Sequence, residues 1–224
     1  DGTGDILSST NFEYCKNNYG NKMYLVTGDG GFDFSVDFNN QEHQISKLLF
    51  GQIVYALVMQ KRGGHFILKL FDCFMQHTID MLALLSSLYE KVYITKPQTS
   101  RYANSEKYIV CKGYIGPDCN QIYRVLAPVY HKLLVTEAPL FRIINIPLTL
   151  LFTTKIEEYN AIFGQQQIEN IQYTLTLIHN NNKDKYASLM KNNIKKCVDW
   201  CNKYDVLFNS LNINTNVFLE NSSV

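Results

Sequence analysis

Apolar residues recur along this chain in two periods, and the two periods alternate from one segment to the next. Compact apolar runs rich in β-branched and aromatic residues predict strands, while apolar residues at helical spacing predict amphipathic helices between them. The predicted strands lie at 23–27, within 63–72, at 91–96 and at 107–114, and the predicted helices lie at 11–19, 41–59 and 74–89.

The connections between these segments predict the topology of a sheet. Helices join the first three strands, which is the connection that parallel strands need. The loop 97–106 between the last two strands is too short for a helical crossover, so these strands are expected to pair antiparallel. The fold class is therefore α/β, with the second half of a doubly wound sheet that ends in an antiparallel hairpin.

After Gly116-Pro117 the pattern becomes helical. Two domains are expected, with residues 1–116 holding the sheet and residues 117–224 forming a helical extension packed on it. The tail from Asn209 is expected to fray. The helices are predicted at 121–135, 156–179 and 186–204, and the inner face of the last one would carry Leu189, Ile194, Val198 and Trp200 or Cys201.

Composition narrows the class of protein without naming it. The formal net charge is +1, so overall charge does not indicate a nucleic-acid binder. A local cluster is either a phosphate-facing patch or an ordinary solvated surface; it comprises Lys91, Lys96, Arg101, Lys107 and Lys112. The longest apolar candidate, 140–152, is too short to span a bilayer, so no membrane association is expected.

The cysteines and the start of the chain bear on compartment and extent. The six cysteines lack any paired Cys-X-X-Cys spacing, so a structural zinc site is not expected. We expect them to be reduced thiols of a cytosolic or nuclear protein. The chain opens with Asp1, no basic and then apolar leader follows it, and no secretory signal is expected. We expect it to be the carboxyl-terminal portion of a longer protein.

Three polar residues lie at comparable places in successive elements. Asp29 follows the first strand among glycines, Lys69 ends the second, and Glu106 precedes the last. The run around Lys69 reads as a central parallel strand buried on both faces, released from the preceding helix by Gly63-Gly64. Neighbouring strand tips lie about 5 Å apart, so the three side chains could converge on one crevice. The alternatives are a snorkelling lysine and an ordinary Asp-Gly turn.

At these residues the sequence resembles the FtsJ-like RNA 2'-O-methyltransferases, and most closely the eukaryotic-type mRNA cap-1 ribose methyltransferases. The likeness is strong over residues 3–116 and looser to about residue 204. It is carried by Gly4-Asp5-Ile6, Asp29-Gly30-Gly31-Phe32, Asn39-Asn40-Gln41-Glu42, Gly63-Gly64-His65-Phe66-Ile67 with Lys69 and Phe71-Asp72, Lys96-Pro97, Thr99-Ser100-Arg101, Ala103-Asn104-Ser105-Glu106-Lys107-Tyr108 and Val110-Cys111-Lys112-Gly113.

The resemblance implies a Rossmann-like sheet that uses S-adenosylmethionine, and a Lys-Asp-Lys-Glu tetrad around the reacting ribose hydroxyl. Asp29 and Glu106 match its acids, and Lys69 matches its second lysine, the general base. Asp5 and Ile6, with Asp29, match cofactor contacts. Residues expected to hold capped RNA are Asn39, Asn40, Gln41, Arg101 and Asn104.

The resemblance also implies a missing partner. The family's first lysine and its Gly-rich cofactor loop lie upstream of Asp1, so the amino-terminal portion of the same protein is an expected partner and the fragment alone is expected to be inactive. No metal is expected. Frequent asparagine, lysine and isoleucine indicate an AT-rich genome and, with the cap likeness, a large DNA virus acting in the host cytoplasm; a cellular homologue would be nuclear.

The expected function is methylation of the first transcribed nucleotide of capped mRNA. Two other interpretations stay open. One is a ribosomal or transfer RNA ribose methyltransferase, and the other is a non-catalytic methyltransferase-like subunit that binds RNA. Aromatic side chains such as Tyr102 and Tyr108 could stack on an unpaired base in any of the three, or could be core residues.

Overall fold

A computed structural model describes residues 2–32, 40–137, 140–180 and 183–208. The chain divides into two compact units, Asp1–Asn170 and Ile171–Val224. In chain order the elements are α1 (Ser9–Tyr19), β1 (Met23–Gly28), α2 (Gln41–Met59), β2 (Gln60–Leu70), α3 (Gln76–Leu88), β3 (Tyr89–Thr95), β4 (Lys107–Tyr114), α4 (Cys119–Val135), α5 (Leu150–Asn180) and α6 (Lys183–Lys203).

The first unit contains a four-stranded mixed sheet among its described residues, in the order β1-β2-β4-β3. β1 and β2 are parallel, as the crossover through α2 requires. β4 runs antiparallel to both of its neighbours, β2 and β3. The predicted α/β class and the antiparallel hairpin at the end of the sheet are confirmed.

The interpretation of the Lys69 strand as a parallel strand buried on both faces is wrong. β2 lies between a parallel neighbour and an antiparallel one. From Gly64 onward its residues alternate between buried and half-exposed. Helices cover one side of the strand, and the side that carries Lys69 is partly open, so β2 shows the two-residue period of a strand with one covered face.

Gly63-Gly64 does not end a helix, contrary to the sequence-based prediction. α2 ends at Met59, and β2 begins at the next residue. In the parallel β1–β2 ladder, Met23 pairs with Gln60 and Leu25 pairs with His65. The β2 segment between these pairs is three residues longer than the β1 segment. Gly63 has φ +77°, in the left-handed region that favours glycine. The pair therefore serves a bulge inside the strand.

The core lies on the covered face of the sheet. α2 is buried over most of its length, and α4 packs its own buried side against it. The sheet contributes alternate side chains from its two central strands. Among those that are at most 3% exposed are Phe66, Leu68, Leu70, Ile109 and Cys111.

The second unit is helical in its described part. α6 shows the predicted helix, but the expected burial of its inner face is wrong, because no residue of α6 is buried. Leu189, Ile194 and Val198 are only partly covered, and Trp200 is 37% exposed. The predicted fraying tail from Asn209 lies outside the described residues. No helix within the described ranges is long and apolar enough to cross a membrane.

Candidate active site

The register of the sheet sets Lys69 in a row of side chains that crosses three strands. Lys69 pairs with Tyr108 of β4, and Tyr108 pairs with Thr95 of β3. On the other side of β2, Gly28 pairs with Leu68, so Asp29 follows β1 at the level of Lys69. The row lies on the partly open face, at the carboxyl ends of the two parallel strands.

Lys69 and Asp29 are in direct contact. The ammonium nitrogen lies 2.9 Å from the carboxylate Oδ1 of Asp29 and donates a hydrogen bond to its backbone carbonyl at 3.0 Å. The Lys69 side chain is 15% exposed and that of Asp29 is 72% exposed. The ammonium also lies 5.7 Å from the centre of the Phe71 ring. The amine is thus held at the strand tips, which differs from a lysine that snorkels into open solvent.

The loop that carries Asp29 is held in place by a hydrogen bond to α2. The Gly30 N–H donates to the Oε1 of Gln52 at 2.8 Å, and Gln52 is buried. A Cβ atom at Gly28 would lie 2.8 Å from the same oxygen, so a side chain there would displace the Gln52 amide from its present position. At Gly31 a Cβ would lie 3.6 Å from the Lys69 ammonium. The glycines therefore let α2 support the loop and leave space beside the amine.

Glu106 reaches the row through Tyr108. The Tyr108 hydroxyl donates to the Glu106 carboxylate at 3.2 Å, and Tyr108 faces Lys69 across the ladder. Burial, then the charges of Glu106 and Asp29, raise the pKa of the Tyr108 phenol. Within the described residues Glu106 and Lys69 form no ion pair. The structure therefore joins Asp29 to Lys69 directly and links Glu106 to Tyr108, the residue that pairs with Lys69 in the ladder.

Tyr108 was considered from the sequence only as a stacking or core aromatic. A signal for its role exists in the spacing, because residues two apart on a strand share a face and Glu106 precedes Tyr108 by two. Reading that signal requires knowing that Tyr108 faces Lys69. The pairing partner is a property of the sheet, and no local pattern encodes it.

The expected basic patch is divided between two faces of the sheet. Lys107 is buried on the covered face, where its ammonium donates to the Ser105 carbonyl at 3.1 Å. The Lys96 ammonium is occupied by oxygens of the loop before β4. Of the five residues, only Lys91, Arg101 and Lys112 are exposed. A phosphate-facing patch is therefore reduced to these three side chains.

Asp5 and Ile6 hold their own loop together. Asp5 Oδ1 accepts the Leu7 N–H at 2.8 Å, and the Ile6 carbonyl accepts the Tyr130 hydroxyl of α4. Ile6 also packs against the core, while Asp5 is exposed. In the part of the chain that the structure describes, neither forms a hydrogen bond or ion pair with Asp29 or Lys69. Their contact with a cofactor stays a prediction.

The residues expected to bind RNA differ in their surroundings. Asn39 lies outside the described residues, and Asn40 is exposed at the start of α2. Gln41 is only 8% exposed, which leaves its amide little surface to offer an RNA. Arg101 is exposed, whereas Asn104 is half-buried and accepts hydrogen bonds from a lysine. Their RNA contacts also stay a prediction.

Glu42 is a buried acid behind the row, and the sequence predicted no role for it. Its carboxylate accepts the Phe74 N–H at 3.1 Å and the Met75 N–H at 2.8 Å, which fixes the chain that follows β2. Burial raises the pKa of the neighbouring Asp72 carboxyl, Lys107 opposes the rise, and Glu42 adds to it.

Across the described ranges no group of three His, Cys, Asp or Glu side chains is arranged to hold a metal.

Comparison with known proteins points to one family. The family model described as FtsJ-like methyltransferase matches residues 2–114. A cap-specific mRNA (nucleoside-2'-O-)-methyltransferase 1 from Trypanosoma brucei brucei is 43% identical over 122 residues, which cover 52% of this chain and 32% of that protein. A cap-specific mRNA (nucleoside-2'-O-)-methyltransferase 2 from Mus musculus is 30% identical over 199 residues, covering 88% of this chain and 25% of that protein.

These matches are partial. The chain spans about a third or less of the length of the curated relatives that it matches. A solved structure from Plasmodium falciparum, provisionally described as a ribosomal RNA methyltransferase, has 20% identity and a TM-score of 0.37, with 52% of this chain and 60% of that chain covered. That likeness is too distant to assign a function. A trypanosome and a mouse as sources give the expected viral origin no support.

Proposed function

The chain belongs to the FtsJ-like methyltransferase family, and from this premise we propose that it methylates a ribose 2'-hydroxyl of RNA. The substrate we propose is capped mRNA, at its first transcribed nucleotide, which is supported by the names of its relatives. The observation that carries the proposal is the Lys69–Asp29 pair at 2.9 Å, beside Tyr108 and Glu106 on the open face of the sheet.

The family uses S-adenosylmethionine, and the strand tips fit such a group. Gly31 leaves room next to an exposed acid, and Asp29 offers a carboxylate that is 72% exposed. Ligands of open α/β sheets bind at this edge. In our proposal Asp29 would contact the cofactor. When bound, the cofactor supplies a methyl group whose C–S bond breaks as the C–O bond to the ribose forms.

The chain's own residues manage the proton. A ribose 2'-hydroxyl is a weak acid, so its oxygen needs a base to become a good nucleophile. In our proposal the unprotonated Lys69 amine accepts the hydroxyl proton and becomes the ammonium ion. Asp29 then stabilises that ammonium and keeps it aimed at the open face, as in the contact at 2.9 Å. Glu106, oriented by the Tyr108 hydroxyl, adds a second negative charge near the amine.

We propose that further parts of the site come from an amino-terminal portion of a longer protein, carrying the Gly-rich loop and the family's first lysine. Two features support this. β1 is an edge strand of the sheet that the described residues form, with Tyr24 55% and Leu25 53% exposed. The face that carries Lys69 is only half-buried. An exposed edge strand with large apolar side chains is suited to pair with another strand.

We also propose that the protein acts in a reducing compartment, either the cytosol or the nucleus. All six cysteines are free thiols, and Cys73, Cys111 and Cys119 are buried. Free cysteines are typical of reducing compartments.

Methyl transfer to short RNAs tests the proposal. The intact protein is incubated with radiolabelled S-adenosylmethionine and, in separate reactions, with one short RNA in capped or uncapped form, with ribosomal RNA and with transfer RNA. We expect transfer to the capped RNA alone, at the 2'-oxygen of the first nucleotide. Equal transfer to uncapped RNA, or transfer only to ribosomal or transfer RNA, would contradict the choice of substrate. RNA binding with no transfer to any of them would favour a non-catalytic subunit.

A further inference from the structure

The loop between β3 and β4 is organised around one lysine. Lys96 directly follows β3, and its ammonium donates to the Asn104 carbonyl at 2.9 Å, to the Asn104 side-chain oxygen at 3.1 Å and to the Glu106 carbonyl at 2.6 Å. A lysine ammonium has three N–H donors. All three are therefore directed to the last residues of the loop.

A second lysine holds the carbonyl between these two. The Lys107 ammonium donates to the Ser105 carbonyl at 3.1 Å. Lys107 projects onto the covered face of the sheet, where it is 4% exposed. The carbonyls of Asn104, Ser105 and Glu106 thus each accept a hydrogen bond from an ammonium, and two different lysines supply them.

Elsewhere the loop has few fixed points. Two backbone hydrogen bonds close turns in it, from the Ser100 N–H to the Pro97 carbonyl at 2.9 Å and from the Asn104 N–H to the Arg101 carbonyl at 3.4 Å. A ten-residue connection with two turns would otherwise sample many conformations. The contacts of Lys96 select the conformation in which the Glu106 carboxylate meets the Tyr108 hydroxyl.

We propose that Lys96 is a positioning residue that orders residues 97–106 and sets Glu106 beside the Lys69–Asp29 pair. This inference rests on the proposed function. Lys96 does not touch the reacting groups in this proposal; it acts through the backbone of the loop. Burial lowers the pKa of the Lys96 ammonium, Lys107 adds to that effect, and the Glu106 charge opposes it. The nearby acid therefore helps to keep the ammonium charged.

The first test needs only this chain. Hydrogen exchange of the peptide covering residues 97–106 is measured by mass spectrometry in the wild type, in Lys96→Met and in Lys96→Arg. Lys91→Met, which alters an exposed lysine of β3, is the control. We expect Lys96→Met to speed exchange in this peptide by about tenfold or more, because the loop opens locally. Lys96→Arg, which keeps the charge, should stay closer to the wild type.

The second test uses methyl transfer by the intact protein. We expect Lys96→Met to lower kcat by about 100-fold, since a small displacement of catalytic groups has effects on that scale. The KM for S-adenosylmethionine should stay unchanged, and Lys96→Arg should recover part of kcat. Unchanged exchange in Lys96→Met would overturn the inference. Faster exchange in the loop with an unchanged kcat would also overturn it. A wild-type protein without transfer would contradict the proposed function, and exchange alone would then decide whether Lys96 orders the loop.

Discussion

Replacing Glu42 with glutamine perturbs the support of the site without touching its exposed residues. Glu42 is 7% exposed, and its two carboxylate oxygens accept the backbone N–H groups of Phe74 and Met75 at 3.1 and 2.8 Å. Met75 is the N-cap residue of α3, where backbone N–H groups lack partners within the helix, and Phe74 directly precedes it. Glu42→Gln keeps the size of the side chain but presents an amide NH₂ to one of the two donors.

The expected loss of stability follows from these contacts. A hydrogen bond to a charged group contributes about 1.5–3 kcal/mol, and a buried donor left without a partner costs about 1–3 kcal/mol. Glu42→Gln weakens one bond and breaks the other, so we expect the free energy of unfolding to fall by about 2–3 kcal/mol. For a chain of this size each kcal/mol shifts Tm by about 2–4 °C, which predicts a decrease of about 4–12 °C.

Thermal unfolding followed by circular dichroism measures this decrease. The matched control is Glu158→Gln, because Glu158 is an exposed glutamate of α5 that pairs with Lys155 at 2.6 Å. Exposed pairs contribute little, so the control should unfold at the wild-type temperature. A Tm for Glu42→Gln equal to that of the control would refute the conclusion that the Glu42 carboxylate anchors the start of α3.

Two further substitutions test packing around the sheet. Asp80 is fully buried, pairs with Arg142 and accepts two backbone N–H groups at 2.9 and 3.1 Å, so Asp80→Asn should destabilise the chain by about 3 kcal/mol in urea unfolding at pH 7. Burial raises the pKa of the Asp80 carboxyl, but the hydrogen bonds outweigh it and the pKa is lowered overall. The stabilisation by the Asp80 carboxylate is therefore present above the pKa of Asp80 in the unfolded chain and is lost as pH falls through its pKa in the folded protein. The difference in unfolding free energy between Asp80→Asn and the wild type should shrink in acid, and a difference that grows would contradict this. Gly28→Ala should lower Tm because its Cβ would meet Gln52 at 2.8 Å, whereas Gly31→Ala, at 3.6 Å from the nearest side chain, should not; equal Tm values would show that the loop yields.

The positions of most elements were predictable from the sequence because they depend on local periodicity. The strand 107–114 and the helix 41–59 match β4 and α2, and the short loop before β4 correctly predicted the hairpin. Gly63-Gly64 was misplaced because a glycine pair marks a break without saying which element it interrupts. The bulge depends on buried Gln60, whose amide donates to the carbonyls of Tyr24 at 3.1 Å and His65 at 2.8 Å. Such a contact is invisible in a local window.

The candidate site was predictable in its residue types and less so in its connections. An acid, a lysine and a second acid at strand ends identified Asp29, Lys69 and Glu106, and the structure brings the first two into contact. The positions of Tyr108 and Lys96 depend on which strands pair and on where a loop folds back. Those are tertiary properties, so the sequence alone left one as an aromatic of uncertain use and the other as part of a surface patch.

The measurement that tests the central claim most directly is methyl transfer by Lys69→Met in the intact protein, with radiolabelled S-adenosylmethionine and capped RNA. Methionine keeps much of the apolar stem and removes the amine. Asp29 is 72% exposed, so losing its ion pair should change Tm little. We expect turnover to fall by about 100- to 10,000-fold, while cofactor binding is retained. Turnover close to that of the wild type would contradict the assignment of Lys69 as the base.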